Sequence, residues 1–235
     1  MKKAKRNEAI EETCNCLLKE FIGDKTLPEF IDIEKFAQKK LGYNIVYEYF
    51  SGKDTEALGF TSDGENAIEV LRNGKIVSVV YPAKNIIIEK FLLDSDKDAA
   101  RRFTIAHEVG HVIANKLYDD PICGYHHSDD DIPDMDFAKI KQCLSYRETR
   151  ANKIAAALLM PDFLIAAHLK KEGYKHKIKL YGSELFSKED QQKLQNMAYR
   201  MRVSLAALRF RLKDLDCIQS CEMKDYIANG INWEE

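Results

Sequence analysis

The chain has 235 residues, 45% of them hydrophobic and 31% charged, the proportions of a folded globular protein; disordered, collagen-like and coiled-coil classes are excluded. Such a length suffices for one sizeable core with an appendage or for two small domains. Thirty-six Lys and Arg against 38 Asp and Glu give a formal charge of -2, too balanced for a protein whose whole surface tracks nucleic acid.

In chain order, Ile10, Leu17, Leu18 and Phe21 among charges predict a leading helix over 7–22. Phe30, Ile33, Phe36 and Ala37 predict a second over 27–40, ended by Gly42. Between 45 and 88, β-branched and aromatic clusters alternate with Gly, and Asn73-Gly74 sits where a hairpin turn belongs between 67–71 and 76–81. This predicts a small, mostly antiparallel sheet whose last strand covers 85–88. A long helix follows over 95–118, opened by an S-x-x-D box at Ser95 and Asp98. Residues 119–136 form an acidic connector, and a helix apolar nearly all round runs from Ser145 to Leu159 before Pro161. The stretch KKEGYKHKIK reads as a solvated loop, and two helices, 188–201 and 204–215, close the pattern, the second capped by Ser204. The resulting division is an N-terminal helix or tail (1–26), a main domain (27–165), a Lys-rich connector (166–187) and a C-terminal helical region (188–235).

The six cysteines, at 14, 16, 123, 143, 217 and 221, form no C-x-x-C pair and fit reduced thiols. No apolar segment follows the basic start MKKAKRNEAIEE, and no run reaches the roughly 20 apolar residues of a membrane span. A cytoplasmic protein is the expectation.

The chemistry concentrates in RFTIAHEVGHVIANK. On a helix, His107 and His111 stand four apart on one face, where a single divalent ion can bind both imidazoles. Glu108 is turned aside, free to take a proton from water. Gly110 serves either close packing of a neighbouring backbone or clearance beside the metal. A catalytic zinc site needs a third protein ligand. Leu117 occupies the position of the third metzincin histidine, so that spacing fails. Other candidates are His126, His127, the aspartates at 129, 130, 131 and 134, and Glu148. The connector residues lack a rigid element to fix them. Glu148 lies on a helix, with Asn152 one turn on and able to accept a hydrogen bond from a ligating histidine. Ser145-Tyr146-Arg147-Glu148 is also an S-x-x-E capping box, so the residues alone leave Glu148 open between cap and ligand.

RFTIAHEVGH followed by ETRANKIAAALLMP resembles the ImmA/IrrE family of metallopeptidases, more weakly over about 85–215, where VSLAALRFRLKDL resembles the helix that commonly follows the core. The resemblance implies an α+β, zincin-like (gluzincin-like) fold in which His107, His111 and Glu148 bind Zn2+ and Glu108 activates water. It also implies a protein substrate, a helix-turn-helix repressor of a mobile element or of a stress response. Many relatives carry an acidic residue before the A-N pair where this chain has Arg150.

Tyr118, Tyr125, His126, His127 and Tyr146 are candidate donors to a developing oxyanion, and 86–88 is a candidate edge for strand addition of substrate. Two rival readings are a metal-stabilised binding module without proteolysis, and a DNA-binding regulator using Arg200, Arg202, Arg209, Arg211 and Lys213. His168 and His176 have no spaced partner and receive no role.

Overall fold

The computed structural model describes residues 2–51, 57–118, 137–182 and 184–230. Expectations for His126, His127, Tyr125, Cys123 and the aspartates at 129, 130, 131 and 134 lie outside the described residues. The fold is α+β and forms two compact units, Met1–Thr26 with Ile31–Leu159, and Leu27–Phe30 with Met160–Glu235.

In the first unit, helix α1 (Lys2–Ile22) buries Ile10, Cys14 and Leu18, a stripe at four-residue intervals that packs on helix α4 (Phe137–Leu159). The helix predicted over 27–40 starts later, because Leu27 precedes a proline and is pushed toward extended backbone. Asp32 caps it by accepting from the Lys35 N–H at 3.1 Å. Helix α2 (Ile33–Lys35) runs into a π-helical turn, Phe36–Leu41, that ends at Gly42 with φ of 74°.

Strands β1 (Asn44–Glu48), β2 (Gly59–Thr61) and β5 (Asn85–Glu89) form a sheet in the order β1-β5-β2, with β1 parallel and β2 antiparallel to β5. Strands β3 (Ala67–Arg72) and β4 (Lys75–Val80) form the hairpin, whose Asn73 and Gly74 both take positive φ, 52° and 73°. One expectation is overturned: 86–88 is not an edge. Ile86, Ile87 and Ile88 are all fully buried, and a run apolar on both faces belongs at the centre of a sheet.

Helix α3 (Asp98–Tyr118) begins three residues later than its Ser95 box suggests, after a 3-10 turn over Ser95–Lys97. Buried Arg102 ties it to the Ile31 carbonyl at 2.8 Å. Ile105, Val109, Val112 and Ile113 sink its other face into the core. Helix α4 starts well before Ser145, because no Gly or Pro interrupts the chain between Pro133 and Pro161. Ser145 is therefore interior, its carbonyl accepting from Thr149 Oγ1 at 2.8 Å, and the capping-box reading of Glu148 fails. No single helix among the described residues is long and apolar enough to cross a membrane.

In the second unit the Lys-rich stretch is a loop over 172–177, but both of its ends belong to regular elements. Helix α5 (Asp162–Lys171) buries Leu164, Ile165 and His168, and strand β6 (Ile178–Tyr181) pairs in parallel with β7 (Ile218–Cys221). Lysines masked the alternation: Ile178 and Leu180 are buried while Lys179 is exposed. Helices α6 (Lys188–Met201) and α7 (Leu205–Asp214) fall where their patterns place them, with Ser204 accepting from the Ala207 N–H at 3.1 Å. A last helix, α8 (Met223–Gly230), follows β7. Within this unit the C-terminal arginines make internal contacts. Arg200 pairs with Glu172, Arg202 and Arg209 stack on Phe30 and Phe186, and Arg211 donates to the Met160 carbonyl.

His168 is 3% exposed and its Nε2 donates to the Glu29 carbonyl at 2.8 Å, while Nδ1 faces Arg200. Burial, and then the Arg200 charge, hold its pKa below the usual histidine value. The unfolded chain therefore takes up this proton more readily, and stability falls as pH drops below about 6.5. The urea midpoint of wild type is expected to exceed that of His168→Gln at pH 7.5, with the gap narrowing at pH 5.5.

Candidate metal centre

The site lies wholly in the first unit, where α3 packs against α4. His107 and His111, one turn apart on α3, bring their Nε2 atoms to 3.0 Å from each other. From α4, Glu148 Oε2 stands 3.1 Å from His107 Nε2 and Oε1 stands 3.3 Å from His111 Nε2. The three side chains are partly buried and their ligand atoms lie within 4.8 Å of one another, a group that can hold a metal ion. Asn152, one turn beyond Glu148, places Oδ1 2.9 Å from His107 Nδ1. An amide oxygen there can accept a hydrogen bond from Nδ1–H, the tautomer that would free Nε2 to bind an ion.

The helices approach closely for a specific reason. A Cβ on Gly110 would lie 2.6 Å from the Ala151 carbonyl oxygen and 3.0 Å from its Cα, so only glycine fits. Ala151 sits between Glu148 and Asn152. Of the two uses open for Gly110, the structure favours close backbone packing.

Glu108 is not one of the three clustered side chains and is 7% exposed. Its Oε2 accepts from Thr61 Oγ1 of β2 at 2.8 Å. Burial raises its pKa, against the opposing pull of both imidazoles and of Thr61. Glu148 is driven the other way: hydrogen bonds from His107 and His111 outweigh burial and hold its carboxyl far below the ordinary range. Burial works against charge on His107, but the Glu148 and Glu108 carboxylates prevail and its pKa is raised.

Thr61 gave no signal in the sequence, since nothing in LGFT marks a partner 47 positions away. Of the candidate oxyanion donors, Tyr118 has its ring covered by Arg150 at 4.7 Å and Tyr146 is 55% exposed.

An α+β fold with an H-E-x-x-H helix and a carboxylate from a second helix is that of a zincin-like metallopeptidase domain. The model of the family Peptidase_M78, the IrrE N-terminal-like domain, matches residues 38–213, and the chain belongs to that family. No curated protein matches it.

Gly110→Ala is expected to force α3 and α4 apart, costing about 1–3 kcal/mol of stability by denaturant titration. Metal affinity should fall with it, although Gly110 is not a ligand.

Proposed function

We propose that the chain is a zinc-dependent endopeptidase of the cytoplasm that cleaves a specific regulatory protein, a helix-turn-helix repressor of a mobile element or stress response. The observation that carries the hydrolytic reading is the convergence of His107, His111 and Glu148 beside a buried carboxylate, Glu108, that stays outside their circle. Two neutral imidazoles and one carboxylate form a donor set of the catalytic zinc type, with one position left for water or substrate. When bound, the ion polarises the scissile carbonyl and makes water acidic enough to attack near neutral pH. Glu108 takes a proton from that water and delivers it to the leaving amine, so the protein ends the cycle unchanged and forms no covalent intermediate. A carboxyl whose pKa is raised by burial suits a group that must both accept and release a proton.

Substrate pairing moves from 86–88 to β2. Leu58 and Ser62 spend main-chain groups on β5, through Glu89 N to Leu58 O and Ser62 N to Asn85 O. With Phe60 opposite Ile87 in the same register, Gly59 and Thr61 turn their main-chain groups the other way, beside Glu108. An extended peptide paired there would have its backbone next to the catalytic base. The family resemblance, rather than any groove shape, supports a repressor as the substrate.

Metal analysis of purified protein is expected to find zinc in wild type and in Glu108→Gln, and little in Glu148→Ala. Wild type should cut the product of the neighbouring gene, whereas Glu108→Gln should lose about 100- to 10,000-fold in rate. Full residual proteolysis by Glu108→Gln would remove Glu108 as the base.

A further inference from the structure

Glu108 needs more than burial to act as a base, because a carboxylate free to rotate presents its two oxygens indiscriminately. Two features of β2 address this directly. Thr61 Oγ1 donates to Glu108 Oε2 at 2.8 Å, which occupies one oxygen. Two positions earlier, a Cβ on Gly59 would lie 3.0 Å from Glu108 Cγ, 3.1 Å from Oε1 and 2.7 Å from Thr104 Cγ2. The main chain of β2 is thus laid against the glutamate side chain, and the missing side chain at Gly59 is what makes room for Oε1.

We propose that β2 is the positioning element for Glu108: the Thr61 hydroxyl fixes Oε2, and Gly59 leaves the space in which Oε1 alone exchanges protons with water and the leaving amine. This rests on the peptidase reading above. Thr61 suits the task for physical reasons. Its β-branched side chain is stiff at χ1, and its main chain is held in register opposite Ile86. Next to it, Ser62 donates through N to the Asn85 carbonyl at 2.8 Å and through Oγ to the Tyr81 carbonyl at 2.6 Å. The strand is therefore anchored by two hydrogen bonds immediately after Thr61. A donor placed in advance costs no reorganisation during the reaction. Thr61 is a positioning residue, since it acts through Glu108 and not on substrate.

The test uses the full chain loaded with zinc and acetohydroxamate as the probe, a chelator that binds hydrolytic zinc and hydrogen-bonds a neighbouring carboxylate. Affinity is measured by calorimetry for Thr61→Val and Thr61→Ser, each in the wild-type and the Glu108→Ala background, with zinc content and thermal midpoint recorded for every variant. Thr61→Val, which keeps shape and loses the donor, is expected to weaken binding about tenfold with zinc retained. Thr61→Ser should stay within about twofold of wild type, and the Val effect should vanish once Glu108 is Ala. Unchanged affinity in Thr61→Val, or an equal loss in the Glu108→Ala background, would overturn the inference while leaving the peptidase reading intact. A wild-type chain that takes up no zinc would overturn both.

Discussion

The closeness of α3 and α4 at Gly110 and Ala151 is the constraint on which the site depends. His107 and His111 come from one helix and Glu148 and Asn152 from the other, so the spacing between backbones decides whether imidazoles and carboxylate meet. Glycine at the contact lets one main chain rest on the other, with Ala151 between the two α4 residues that serve the cluster. A helix pair at ordinary separations of 8–10 Å depends on side-chain size at the contact. Here that size is zero, and ligands of fixed length reach one another.

In and beside this cluster two glutamates are driven in opposite directions by their surroundings. Hydrogen bonds from both imidazoles hold the Glu148 carboxyl below the ordinary range, whereas burial against β2 pushes Glu108 above it. The same side chain is thus biased toward the charged form in one place and toward the neutral form in the other, the contrast the proposed acid–base role of Glu108 draws on. Each side of the site has its own polar partner, Asn152 of α4 on His107 and Thr61 of β2 on Glu108.

What was legible in the sequence was what is local. The His107–His111 pair and Glu108 follow from helical spacing alone, and the hairpin at Asn73-Gly74 and the cap at Ser204 follow from turn and capping chemistry. Glu148 stood between ligand and cap because the start of α4 depends on residues far from Ser145; with the helix begun at Phe137, the capping geometry disappears. The burial of 86–88 on both faces could not be separated from an edge by apolar content, and charge along β6 hid its two-residue period. Thr61 and Gly59 were invisible for a deeper reason: their relation to Glu108 is made by strand order, which no local pattern encodes.

The two halves of the ligand set are far apart along the chain, with all of residues 112–147 between His111 and Glu148. An ion gripping both ends closes that excursion into a ring, as a cross-link would, and removes from the unfolded ensemble the freedom of its ends to drift apart. Occupancy and folding would thereby be coupled: a cation held by this centre would also fasten α4 to α3. If the site takes up an ion as proposed, metal supply would set how much of this protein survives as well as how much of it works.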